Sequence, residues 1–180
     1  SLIAVRASGE DLFNDKDNHV IEPFAPTQGN FLNGVAIGEL YDDGEQYLVS
    51  VTYSGANSVY CHKTSDNDGD GFPDLYWKKD TVLIKSKCSP IISDLDGDNI
   101  SEVIVPSKGN LIIFEANGEI RNVIMNLDDS YRQPAVASII PNSKGKQLIV
   151  PDGKNLNVYD ANGEKISNYS ISLSATVSSP

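Results

Sequence analysis

The chain has 180 residues, 39% of them hydrophobic, which suits one or two domains with a packed core and argues against disorder. Fourteen Lys and Arg against 25 Asp and Glu give a formal charge of −11, a poor match to nucleic acid or to an anionic membrane surface. No stretch approaches the roughly 20 apolar residues of a membrane span, and the opening SLIAVRASGE lacks the basic start, apolar run and cleavage site of a signal peptide.

The sequence repeats itself. LIIFEANGE at Leu111 returns as LNVYDANGE at Leu156, and EVIVPSKGN at Glu102 returns as QLIVPDGKN at Gln147, each 45 residues further on. A fixed period of this size marks a repeat architecture. In the clearest copy PIISD, EVIVP, LIIFE and EIRNVIMNL read as four short strands, rich in the Ile, Val and Phe that a half-buried pleated surface favours. Asn117-Gly118 and Asn162-Gly163 suit the positive φ angles of tight hairpins, and Pro106 and Pro151 fall where the second strand ends. A four-stranded unit of this length is the size of a propeller blade. The expected fold is all-β: β-propeller blades of four antiparallel strands in a partial ring, about three full blades plus part of another.

In chain order, residues 1–30 read as the end of one blade, since LIAVRASGE at Leu2 is a further copy of LIIFEANGE. Residues 31–86 read as the first full blade. Its GELYDDGEQYLVS at Gly38 matches SDLDGDNISEVIV at Ser93 at a distance of 55, and the ten extra residues are assigned to an insertion around TSDNDGDGFPD. Residues 87–132 and 133–176 are the next two full blades, and 177–180 begin another. The chain is thus expected to be a single propeller fragment, with the remaining blades supplied by the same or a partner chain.

Two loops carry metal-binding spacing. In the first, Asp66, Asp68, Asp70 and Asp74 supply carboxylates at loop positions 1, 3, 5 and 9, Phe72 offers its carbonyl at position 7, and Gly71 permits the sharp turn. Alternate carboxylates on a tight loop converge on one point and match the six to eight oxygens that Ca²⁺ takes. Position 12 is Trp77, not the bidentate Glu of an EF-hand, so this is a calcium loop between strands. The second loop offers Asp94, Asp96, Asp98, the carbonyl of Ile100, and Glu102, with Asn99 at the turn. The corresponding positions elsewhere are Glu39, Tyr41, Asp43 and Tyr47, then Ser138, Ile140, Asn142 and Gln147, which read as structural turns. The expected cofactor is Ca²⁺.

The segment SPIISDLDGDNISEVIVPSKGNLIIFEANGEI resembles the FG-GAP/VCBS repeat family, whose blades also build the integrin α-subunit propeller. The resemblance implies an extracellular module, secreted, on a cell surface or periplasmic, with calcium in the hairpin between the first and second strands. Asp94, Asp96, Asp98, Ile100 and Glu102 are the positions that match. The loop at Asp66 is similar to the Asp-rich loops of thrombospondin type 3 repeats and adds to the family pattern.

Nothing in the sequence supplies a catalytic constellation. His19 follows the polar run Asn14–Asn18, and His62 adjoins Cys61 on a strand, where alternation sends the two side chains to opposite faces. Cys61 and Cys88 make no Cys-x-x-Cys motif; a disulfide, if the protein is exported, and two free core thiols both fit. Asn99-Ile100-Ser101 and Asn168-Tyr169-Ser170 are glycosylation sequons, the first overlapping a metal loop. By analogy with propellers, the face opposite the calcium hairpin carries the ligand, which makes Tyr53, Asn57, Lys108, Asn110, Lys154 and Asn155 the candidate contacts. Two functions stay open. One is a non-catalytic adhesion or recognition module for a protein or glycan. The other is the propeller domain of a polysaccharide lyase or glycoside hydrolase.

Overall fold

The computed structural model describes residues 29–31, 33–70, 72–128 and 132–174. The reading of 1–30 as the end of a blade, His19, the turn glycine Gly71 and the start of a blade at 177–180 lie wholly or mainly outside them. Within the described residues, twelve strands form three four-stranded antiparallel sheets. The first holds β1 (Ala36–Gly38), β2 (Tyr47–Val51), β3 (Ser58–Lys63) and β4 (Leu75–Asp80). The second holds β5 (Ile91–Ser93), β6 (Glu102–Ser107), β7 (Asn110–Phe114) and β8 (Ile120–Ile124). The third holds β9 (Ala135–Ala137), β10 (Gln147–Asp152), β11 (Asn155–Tyr159) and β12 (Ile171–Ser172), with a short 3-10 turn at Ser167–Tyr169 leading into β12. Each sheet is a simple meander in strand order. The fold is all-β and blade-like, as the repeat predicts, and the described residues do not close a ring.

Side-chain alternation explains why the sheets stack in series. On the second sheet Val103, Val105, Ile112 and Phe114 join Val49, Val51, Val59 and Cys61 of the first sheet in one core. Their neighbours Ile104, Leu111 and Ile113 point the other way and join Leu148, Val150 and Tyr159 of the third sheet in another. The middle sheet therefore packs on both faces, and its central strands β6 and β7 read as nearly continuous apolar runs for that reason. Cys61 lies in the first of these cores, while His62 turns to the other face and stacks on Tyr60 with ring centroids 6.1 Å apart. Cys61 and Cys88 are buried thiols not joined by a disulfide, and burial pushes the Cys61 pKa up to about 12.

The ten extra residues of the first blade are split between two loops. Twelve residues separate His62 from its partner Leu75, against five between the equivalent pair Phe114 and Ile120, so seven fall in the β3–β4 loop. The other three lengthen the β2–β3 turn, where Val51 pairs Val59, whereas β6 and β7 turn tightly at Ser107 and Asn110.

Repeated contacts fix each sheet against the next. Trp77 on β4 donates its indole N–H to the carbonyl of Ala116 at 2.9 Å, beneath the β7–β8 turn. Gly118 in that turn has φ +83°, and a Cβ there would come within 2.7 Å of the Trp77 ring. One repeat on, Asn122 on β8 donates to the carbonyl of Asn162 in the β11 turn. The incoming connectors are held in the same repeated way. Ser107 Oγ accepts the Lys85 N–H at 2.7 Å, and Asp152 Oδ1, 45 residues later, accepts the Asp128 N–H at 2.7 Å.

Candidate metal centre

Both acidic loops lie at the same end of the blades, since β1–β2 and β3–β4 connections leave a meander on one side and β2–β3 connections on the other. The loop at 94–102 joins β5 to β6 and is anchored from beneath by Leu95, which is fully buried. Neighbouring sheets grip it from both sides. Ser101 donates its N–H to the carbonyl of Leu40, just after β1, at 2.8 Å, and the backbone N–H of Lys146, just before β10, donates to the carbonyl of Leu95 at 2.6 Å. Gly145 has φ +79°, and a Cβ there would stand 2.1 Å from the Leu95 carbonyl oxygen.

Within this frame the Asp94 carboxylate turns inward. Its Oδ1 accepts the N–H of Gly97 at 2.7 Å and of Asp98 at 3.3 Å, and its Oδ2 accepts that of Asn99 at 3.2 Å. Burial works against its charge, but these N–H groups and Lys146 outweigh it and hold the carboxyl below the ordinary aspartate range. Asn99 takes φ +69°, as a left-handed turn position requires. Glu102 is fully buried at the start of β6, and its Oε2 accepts the Leu95 N–H at 2.8 Å. Burial raises its pKa to about 7, against the opposing pull of the Leu95 N–H and Arg121.

Asp94, Asp96 and Glu102 each bring a carboxylate oxygen within 4.8 Å of the others. Asp96 Oδ1 is buried and has no hydrogen-bond partner. An oxygen-only set with one orphaned acceptor fits a hard divalent cation, because such an acceptor is costly unless something fills its lone pairs. Asp98 does not join the three; its Oδ1 accepts the Ile100 N–H at 2.8 Å. Ile100 forms an isolated bridge with Tyr41 of the first sheet.

The loop at 66–74 is more exposed. Asp66, Asp68 and Asp70 bring carboxylate oxygens within 4.8 Å of one another. Each also accepts a loop N–H: Gly69 on Asp66 at 2.7 Å, Asp70 on Asp68 at 3.1 Å, and Phe72 on Asp70 at 2.8 Å. Asp74 stands apart and binds Asn67, accepting its side-chain amide at 2.6 Å and its backbone N–H at 3.3 Å. The Asn67 amide is the main reason the Asp74 carboxyl is held below the ordinary range. A cavity of about 580 Å³ opens beside this loop, lined by Asp68, Asp70, Phe72, Asp74 and His62 among others.

The six candidate ligand contacts sit on the β2–β3-type turns at the opposite end. Asn57 takes φ +51°, and its carbonyl accepts the Thr81 N–H at 3.1 Å. Lys87 places its ammonium 5.0 Å from the centre of the Tyr53 ring. The Asn110 amide donates to the Lys108 carbonyl at 3.2 Å, and Asn155 Oδ1 accepts from Ser172 Oγ at 2.6 Å. Lys154 uses its carbonyl to accept the Leu173 N–H at 2.8 Å. Much of the polar capacity of these turns thus serves the turns themselves.

Sequence reasoning missed two features. Arg121 on β8 reaches the second loop from 25 residues away and pairs with Asp96 at 3.1 Å, Glu102 at 2.9 Å and Glu115 at 2.7 Å. Tyr41, Tyr47 and Tyr76 form an aromatic cluster with two edge-on contacts and one tilted one, and the Tyr41 and Tyr76 hydroxyls are 3.0 Å apart. Neither has a spacing signature, since each joins residues far apart in sequence. Compared with protein-family models and with curated proteins, the chain matches no family and no relative. The resemblance to the repeat family therefore rests on the residues quoted above.

Proposed function

We propose that this chain is a calcium-binding segment of a β-propeller that recognises a protein or glycan ligand outside the cytoplasm, without catalysis of its own. The observation that carries the reading is the meeting of Asp94, Asp96 and Glu102 around the orphaned Asp96 Oδ1. Calcium is favoured over smaller Mg²⁺ because Ca²⁺ accepts carboxylates and carbonyls in flexible geometry, whereas Mg²⁺ demands a near-ideal octahedron and keeps several waters. Asp94, Asp96 and Glu102 would hold one ion, and Asp66, Asp68 and Asp70 a second. Neither loop has a twelfth-position Glu, so dissociation constants of roughly 10⁻⁴ to 10⁻³ M are expected, the range of extracellular modules.

Recognition is assigned to the opposite end, where Tyr53, Asn57, Lys108, Asn110, Lys154 and Asn155 cluster on successive turns. Calorimetric titration with calcium chloride tests the metal half. The wild type should give two binding events, Asp96→Ala should remove one and Asp68→Ala the other. Absence of any calcium heat in the wild type refutes it. Binding to a glycan array tests the recognition half; Lys108→Ala with Lys154→Ala should weaken any signal while leaving calcium binding intact.

A further inference from the structure

We propose that Arg121 is a tethered counter-ion of the 94–102 loop that competes with a divalent cation and sets its affinity; this rests on the calcium reading above. The guanidinium is nearly buried, its side chain 16% exposed, and four of its hydrogen bonds go to carboxylates. Two of them grip Glu115 in a fork, from Nε at 2.7 Å and from Nη2 at 2.9 Å. The other two reach Glu102 Oε1 at 2.9 Å and Asp96 Oδ2 at 3.1 Å. Arg121 thus occupies one oxygen on each of two of the three residues that would hold the metal.

The consequence is electrostatic. A guanidinium keeps its charge at any working pH, so its charge beside the loop is permanent. It offsets part of the repulsion among Asp94, Asp96, Glu102 and Glu115, so the hairpin keeps its shape without metal. The same charge stands within a few ångströms of where a divalent ion would sit. Like charges at that distance, only partly screened, weaken binding substantially. The arginine therefore trades metal affinity for a loop that holds its shape without metal.

The test uses calcium chloride titrations of the full chain in an Asp68→Asn background, so that only the second loop reports. Arg121→Gln should bind calcium roughly tenfold tighter than the parent, and in chelator it should melt at a lower temperature. Arg121→Lys, whose shorter stem and single ammonium cannot span three carboxylates, should bind a few-fold tighter and serves alone should the Gln variant not fold. An unchanged or weaker affinity in these variants overturns the proposal. Asp94→Asn separates the two claims. If the parent binds calcium, Asp94→Asn abolishes it and Arg121→Gln changes nothing, the calcium reading stands and the counter-ion role falls. If neither parent nor arginine variants bind calcium, both fall.

Discussion

Glu102 and Gln147 stand 45 residues apart and make the same bond: Glu102 Oε2 accepts the N–H of Leu95 at 2.8 Å, and Gln147 Oε1 that of Ile140 at 3.1 Å. Both side chains are buried, at 0% and 1% exposure. The ninth loop residue is therefore first a cap on its own hairpin, present whether or not the loop is acidic. In the proposed calcium reading, metal ligation by Glu102 would be an added role of its carboxylate charge.

That equivalence predicts a split between two substitutions. Glu102→Gln should keep the Leu95 bond but turn its amide NH2 toward Arg121, so it should cost about 1–2 kcal/mol in chelator while abolishing calcium stabilisation at this loop. Glu102→Ala should cost about 2–3 kcal/mol even in chelator, because it leaves the buried Leu95 N–H and part of Arg121 unpaired. Urea midpoints with and without calcium separate the two; equal losses in chelator contradict the capping role.

The fold was largely legible because the period is written in strand-forming residues. Leu111 and Leu156 are the second residues of equivalent strands, and the Asn-Gly turns after them mark the hairpins. The placement of the long insertion was only partly legible: sequence matching cannot tell a lengthened β2–β3 turn from a lengthened β3–β4 loop, and pairing of His62 with Leu75 decides it. Of the candidate ligands, spacing picked out the carboxylates of Asp94, Asp96 and Glu102 that meet, but gave no sign that Asp98 and Asp74 stand outside the two clusters. Those placements depend on local hydrogen-bond geometry. Arg121 was invisible because its partners come from three different strands and loops.

His62 makes the fold acid-sensitive. It is 1% exposed, its Nδ1 has no partner, and burial lowers its pKa from 6.5 to about 4. An unfolded histidine takes a proton near pH 6.5 while the folded one stays neutral to about 4. Its contribution is thus complete above pH 6.5 and is lost as the pH falls toward 4. At ~1.4 kcal/mol per unit the loss amounts to about 3 kcal/mol at most. Denaturation midpoints from pH 7.5 to 4.5 should fall steeply for the wild type and less steeply for His62→Gln. Parallel curves contradict this role.

Gly145 ties the third sheet to the second loop. A methyl there would meet the Leu95 carbonyl oxygen at 2.1 Å on a backbone already at φ +79°. Gly145→Ala should destabilise the chain by about 2 kcal/mol or more, and should weaken calcium binding at Asp94 while leaving the Asp66 loop untouched. Gly69 also has positive φ but open space around it, so Gly69→Ala should cost only about 1 kcal/mol. Calorimetry on both variants checks the contrast, and equal effects on the second loop contradict it.

Melting in chelator against melting in millimolar calcium is the most direct measurement on these loops. At one millimolar calcium and dissociation constants of roughly 10⁻⁴ to 10⁻³ M, binding to the folded chain alone adds about 0.4–1.4 kcal/mol per site. For a chain of this size each kcal/mol moves the midpoint by roughly 2–4 °C. Calcium should therefore raise the midpoint by about 1–6 °C for each filled loop, the rise should shrink with Asp96→Ala or Asp68→Ala, and magnesium should do less. Coincident midpoints in chelator and calcium, with no calorimetric heat of binding, would contradict calcium binding at both loops and leave them as hydrogen-bonded acidic turns.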